Sequence, residues 1–456
     1  MVAALGIMLG LFTGLASARG DATGSSGQGR TPLRTTGASI PAHIPTWALD
    51  DGCNGGQAPA SLVRDWVTYA ESNCGARSSK ARSDCRSGGI RYCTVLQYLD
   101  PDWSFPFEDV HIGHAHVSSW WLHEPAPHGR TRLLSNYFGG GHLVNQTNPA
   151  VRAFFRSYAR RHYNADDGLM LDWQSSSLSE ELYYSNCHCR TTSEITSDRV
   201  LQAAHERMSA ALTHADGRPF LQVENSIAPN PYLPQGFDML DPRTGVLGMI
   251  SEGQPVDQGK LDPYYSTLLD QIAYVATRTR GFMVPMARAP LGARYQHRSR
   301  RIQEATMLLG YSPGHLVDWA NFESGGPDLA VWPEEGIYPT RPVQSMRAPG
   351  GRGCLAGKGI VCSRGGHNSL RVASGVYRRE FRTCYDRRVS FGACAAVINT
   401  TGRSVTVRRS WLRESYRRQI ELVGGDVQSG GQLNLGGSFV AGATRVAPHD
   451  AILLAG

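Results

Sequence analysis

Short apolar runs alternate along the chain with segments of helical period. Strand-like stretches fall at 44–49, 92–99, 133–137, 169–171, 220–223, 246–250, 282–285 and 315–318, and helix-like stretches at 60–71, 148–163, 196–213, 264–279 and 300–309. Within the helical segments apolar residues recur at i, i+3 and i+4, as in Val200, Ala203, Ala204 and Met208. Strands that alternate with helices predict βα units and a parallel sheet, and eight of them over some 300 residues predict a (β/α)8 barrel spanning 40–341. An open, doubly wound sheet is the rival. Cys53-Asn54-Gly55-Gly56 follows the first strand, yet it lacks the glycine fingerprint of a dinucleotide turn. From about 342 the pattern changes to Gly-rich turns and short strands at 369–376, 394–399, 404–408, 419–423 and 451–454, which predict an antiparallel β-sandwich domain over 342–456.

The chain's first residues change the picture of its location. Val2 to Ala18 is apolar and uncharged and ends Ala16-Ser17-Ala18, the small-x-small form read by signal peptidase. Residues 1–18 are therefore expected to be a signal peptide and 19–39, rich in Gly, Ser, Thr and Arg, a flexible lead-in. No other run reaches membrane-spanning length, so a secreted or cell-envelope protein is expected. Ten cysteines agree with an oxidising compartment. Sequence neighbours suggest Cys85 with Cys93, Cys354 with Cys362 and Cys384 with Cys394, although spacing does not fix connectivity. Cys187-His188-Cys189 lacks the two-residue gap usual for zinc. The charge of +7 comes mostly from Arg, but no nucleic-acid motif surrounds the basic clusters, and nucleic acid is not an expected partner. An anionic polysaccharide or envelope polymer could favour such a surface. Asn145 and Asn399 sit in N-glycosylation triplets.

Acids recur where the strands end. The first run ends on Asp50-Asp51, the next on Asp100-Pro101-Asp102-Trp103, the fourth on Asp172-Trp173, the fifth on Glu224-Asn225, the sixth on Ser251-Glu252-Gly253 and the eighth on Asp318-Trp319. In a barrel, side chains at the C-terminal strand ends share one mouth. Carboxylates, amides and aromatic faces there match sugar hydroxyls and the apolar side of a pyranose. Glycosidic hydrolysis needs two carboxyl groups flanking the anomeric carbon, and Asp172 and Glu252 are the candidate pair. Asp172, on a short rigid strand, suits the nucleophile; Glu252, beside Met249 and Ile250, suits the proton donor. Asp50, Asp51, Asp100, Trp173, Glu224 and Asn225 are the candidate sugar-holding residues, with Glu224 a substitute for either catalytic role. The plainer alternatives are that Asp172 caps a loop and Glu224 anchors one.

The strand Asp167-Gly168-Leu169-Met170-Leu171-Asp172, the acid-ended sixth strand and the trailing β module resemble the glycoside hydrolases of the α-galactosidase-like barrel superfamily. That resemblance covers most of 40–456 in layout and implies a nucleophile at Asp172, an acid/base at Glu252 and sugar contacts at Asp50 and Asp51. This chain has Glu at the sixth strand where the best-known α-galactosidases have Asp, which leaves subclass and stereochemistry open. The expected protein is a metal-free, cofactor-free glycoside hydrolase acting on an oligo- or polysaccharide. A non-catalytic carbohydrate-binding protein is the second reading. A metal hydrolase using His111, His114 and His116 is the third, disfavoured because those residues fall in a connection and not at a strand end.

Overall fold

The computed structural model describes residues 44–51, 68–73, 82–83, 93–104, 118–125, 133–135, 141–172, 177–182, 185–187, 189–226, 240, 245–255, 261–288, 296–319, 333–351, 354, 362–422 and 432–456. The expected signal peptide and lead-in, Trp173, and the His111, His114 and His116 cluster lie outside them.

Eight parallel strands make one sheet. They are β1 (Thr46–Asp51), β2 (Tyr69–Asn73), β3 (Thr94–Leu99), β4 (Gly168–Leu171), β5 (Leu221–Ser226), β6 (Val246–Pro255), β7 (Phe282–Arg288) and β8 (Asp318–Trp319). They run β8-β1-β2-β3-β4-β5-β6-β7. The two ends of this order are themselves linked, because Val317, just ahead of β8, donates to the Met283 carbonyl of β7 at 3.0 Å and Met283 donates to His315 at 3.1 Å. Asp318 then donates to Pro45 ahead of β1. One apolar cluster gathers Tyr69, Leu96, Met170, Val223, Ile250, Phe282, Val284 and Val317, drawn from β2 through β7 and the residue before β8. In β4, β6 and β7 these positions alternate with Leu169, Leu171, Met249 and Met283, which pack in the clusters shared with the helices, as a pleated strand requires.

The helices follow the sequence pattern closely. In α1 (Pro149–His162), Asn148 caps the N-terminus by accepting from Ala150, Pro149 fills the first position, and Arg160, Arg161 and His162 sit against the negative end of the helix dipole. Val151, Phe155 and Ala159 are its buried stripe. In α2 (Asp198–Ala211), Ser197 caps, and the buried stripe is Leu201, Ala204, His205, Met208 and Ser209, with Val200 and Ala203 at its margin. Helices α3 (Leu261–Arg278) and α4 (Gln296–Gly310) follow.

Two expectations fail locally. The run at 133–137 does not join the parallel sheet; Leu133 and Ser135 make isolated antiparallel bridges to His123 and His142. Its place in the count is taken by β2, which begins in the last three residues of the stretch expected to be helical and runs two beyond it, pairing with both β1 and β3. Neighbouring strands overrode a local helical pattern.

A separate antiparallel sheet follows, formed by β9 (Ile337–Pro342), β10 (Arg371–Ala373), β11 (Val376–Asp386), β12 (Val389–Asn399), β13 (Arg418–Glu421), β14 (Asn434–Ser438) and β15 (Asp450–Ala455) in the order β9-β11-β12-β15-β13-β14, with β10 on β11. One face, including Tyr377, Phe381, Ala396, Ile398 and Leu453, shares a core with α3 and α4. The other face, with Val376, Ala395, Val397 and Leu454, is covered by Val407, Trp411, Leu412, Tyr416 and Val446. Disulfides join Cys354 to Cys362 and Cys384 to Cys394, as sequence proximity suggested, and Cys187 to Cys189. No helix among the described residues is long and apolar enough to cross a membrane.

Candidate functional site

Asp172 is held where β4 ends. Its backbone N–H donates to Leu99 of β3 at 3.0 Å, which extends the ladder by one residue beyond Leu171. Leu169 and Leu171 pack toward the helices with Leu99 and Phe155, whereas Met170 lies in the cluster common to the strands. Alternation therefore puts Asp172 on the Met170 side. There Tyr98 of β3 donates its hydroxyl to Oδ2 at 2.7 Å, and Asn225 of β5 donates Nδ2 to Oδ1 at 2.7 Å. These two neutral donors, from the flanking strands, fix the carboxylate's plane. Asp172 is buried, with 8% of the residue exposed.

The expected site residues separate into groups. Asp172 and Asn225 are brought into contact. Asp100 is buried, and its Oδ1 accepts from the Asp102 backbone N–H at 2.9 Å, making a tight turn after β3. Asp50 and Asp51 lie at the end of β1 in register with Ser72 and Asn73 of β2. Glu252 is in β6, two positions beyond Ile250. Glu224 turns the other way from Asn225: its Oε1 accepts from Ser209 of α2 at 2.9 Å, in the layer between sheet and helix.

That layer contains a buried polar cluster behind Asp172. Asp102 accepts from Gln146 Nε2, and its Oδ1 lies within hydrogen-bond distance of His205 Nε2, at 3.1 Å. Burial drives the Asp102 carboxyl well above the usual carboxylate range; the Gln146 amide pulls it down, and the negative charge of Asp172 pushes it up again. Glu224 is raised from 4.5 to about 7, first by burial, with Ser209 and His205 opposing and Asp102 adding to the rise. Asp102, Glu181 and His205 present possible metal-ligand atoms within 4.8 Å of one another, and are the group among the described residues that does so.

Tyr98, Asp102, Gln146 and His205 were not among the expected site residues. Two signals existed in the sequence. Tyr98 lies two residues before Asp100 and so shares its strand face, and His205 sits on the apolar stripe of α2, where a histidine needs a buried partner.

No protein-family model matches this chain, and no curated protein matches it in sequence. Solved structures similar to it include the α-amylase of Geobacillus thermoleovorans in complex with acarbose, at 9% identity over 92% of this chain and 99% of that one with a TM-score of 0.42. Another is trehalose-6-phosphate hydrolase of Bacillus licheniformis, at 10% identity, 91% and 99% coverage and a TM-score of 0.44. A third is the glycoside hydrolase domain of PelA from Pseudomonas aeruginosa, at 15% identity, 63% and 99% coverage and a TM-score of 0.36. Values this low assign neither fold nor activity, and the chemistry is carried by the chain's own side chains.

Proposed function

We propose that the chain is a secreted glycoside hydrolase on a (β/α)8 barrel, cleaving an oligo- or polysaccharide with Asp172 and Glu252 as its two carboxyl groups. The observation that carries this reading is the carboxylate of Asp172, set at the end of β4 on the inward side and gripped by Tyr98 and Asn225. A carboxylate oriented by neutral donors at a strand end is what attack on, or water delivery to, an anomeric carbon requires. Support for a closed barrel comes from the backbone bonds that link β7 to the segment leading into β8, and from the cluster that β2 to β7 share. Glu252, two strands away in β6 and three residues before that strand ends at Pro255, protonates the leaving oxygen in this scheme. Asp50, Asp51 and Trp173 hold the sugar, together with Asn225, and Asp100 shapes the turn after β3. Glu224 keeps a supporting place behind Asp172. The disulfides support an extracellular or periplasmic setting.

The test is sugar release from a panel of oligo- and polysaccharides by wild type, Asp172→Asn and Glu252→Gln, with and without chelator. Loss of at least about 100-fold in kcat for both variants, and no effect of chelator, is the expected result. A wild type that retains glycan on a column but releases nothing would establish the binding protein instead, and chelator-sensitive turnover would establish a metal hydrolase.

A further inference from the structure

The antiparallel module is far more basic than the rest of the molecule. Residues 337–456 contain 17 Arg and one Lys against six Asp and Glu, whereas residues 1–336 carry 28 basic residues against 33 acidic ones. The excess is not spread evenly. The sheet face toward α3 and α4 uses its arginine internally: Arg379 is buried and donates to the carbonyls of Leu309 and Tyr311 at 2.8 and 2.7 Å. The outer layer over the opposite face is different. There Val405–Thr406 pairs with Arg445–Val446, and a short helical turn, Arg409–Trp411, follows. Val407, Trp411, Leu412 and Val446 point down into the apolar cluster, while Arg403, Arg408, Arg409, Arg413 and Arg445 between and beside them are exposed.

Among the described residues none of these five arginines forms an ion pair; the acids of the layer are taken by others, Glu380 by Arg378 and Glu414 by Arg382. Arg409 is steadied by the Glu414 carbonyl at 2.9 Å, and Arg408 lies over the Trp411 ring at 5.8 Å, so these two guanidinium groups are held against the layer. Five like charges on one layer repel each other, and a chain of anions that bridges them relieves this. Guanidinium forks suit planar carboxylates in particular. We infer that this layer binds an anionic polysaccharide. The inference rests on the glycoside hydrolase reading for its meaning, since it names the substrate class: a carboxylated polymer held by the module while the barrel cleaves it. Two features favour this partner over the other polyanions. A single-stranded nucleic acid would need exposed aromatic faces to stack on, and the layer's Trp411 is buried. A membrane would need apolar side chains to insert, and Val440 is the exposed large one in this layer.

The experiment is affinity electrophoresis of the full chain through gels containing polygalacturonate, dextran or duplex DNA, repeated across rising salt. Retardation by polygalacturonate that salt weakens, with none by dextran, is expected. The variant carrying Arg403→Gln, Arg408→Gln, Arg409→Gln and Arg445→Gln should lose affinity by about tenfold or more at unchanged melting temperature. Asp172→Asn should stay retarded, so that a failure of hydrolysis and a failure of binding are read separately. Equal retardation by dextran, salt-independent retardation, an unaffected fourfold variant or tighter binding to DNA than to polygalacturonate would each overturn the inference. Should the fourfold variant misfold, the salt dependence and the dextran and DNA arms of the wild type still decide.

Discussion

At the scale of single residues, the carboxyl groups near the end of β4 and β5 have been given opposite tasks by their surroundings. Asp172 accepts from Tyr98 and Asn225, whereas Glu224 is 1% exposed and has Ser209 as its donor. Burying a carboxylate with so little compensation disfavours its charge, and this is why Glu224 titrates near 7. The sign for stability follows directly. Between 4.5 and about 7 the unfolded chain ionises Glu224 while the folded chain keeps it protonated, so the folded state binds more protons and stability falls as pH rises through that window. Glu224→Gln keeps the shape and removes the titration. Its urea midpoint should therefore fall less steeply than that of the wild type from pH 4.5 to 7, the difference amounting to at most about 3 kcal/mol. Parallel profiles for the two proteins would show that Glu224 ionises normally. Local bonding also decides the fate of the two glycosylation triplets. Asn145 and Asn399 are buried, and Asn399 spends its amide on the carbonyls of Arg403 and Ala447 at 2.7 and 2.8 Å, so neither offers a nitrogen for a glycan.

At the scale of elements, what the sequence revealed depended on whether an element carries its own signal. Helices α1 and α2 announce themselves by caps and by an apolar stripe, and β4, β5, β6 and β7 by apolar runs that are buried on both faces. Strand β2 has no such run. Tyr69, Ala70, Glu71, Ser72 and Asn73 become a strand because β1 and β3 present backbone on both sides, and only the assembled sheet holds that information. The same limit applies to the site. Asp172 was legible as an acid ending a strand, but Tyr98 and Asn225 as its donors required the register of β3, β4 and β5. That register depends on Gly168. It opens β4 directly against the Leu221 backbone and the Leu96 side chain, so a methyl group there would collide with both. Gly168→Ala should push β4 away from β5, lower stability by about 1 to 3 kcal/mol and, by moving Asp172 relative to Asn225, reduce kcat along with it. Denaturant titration and turnover measured on one preparation check both; a variant with wild-type midpoint would mean that β4 has room to spare.

At the scale of the whole molecule, the parallel and antiparallel sheets are joined through α3 and α4 by buried polar contacts as well as by a shared apolar core. Asp270 of α3 is fully buried and accepts from the backbone N–H groups of Cys362 and His367 at 3.1 and 2.9 Å and from His367 Nδ1 at 2.9 Å. Gly366, at φ 46°, lets the turn come so close that any side chain there would strike the Asp270 carboxyl. Nearby, Arg301 of α4 grips Asp450 of β15 with both arms at 2.8 and 2.7 Å. A junction built this way does not open as a hinge. It transmits stability, because the apolar side chains of α3 and α4 complete their burial only against β11, β12 and β15. Unfolding is therefore expected to be one cooperative event for both sheets. Asp270→Ala strands three buried donors at once and should cost about 3 kcal/mol or more, lowering the midpoint of that single transition without splitting it. Circular dichroism and tryptophan fluorescence followed through the same urea series check this. Two separated transitions in the wild type would show the sheets to be independent units, whereas an unshifted midpoint in Asp270→Ala would show that the apolar core alone holds the junction.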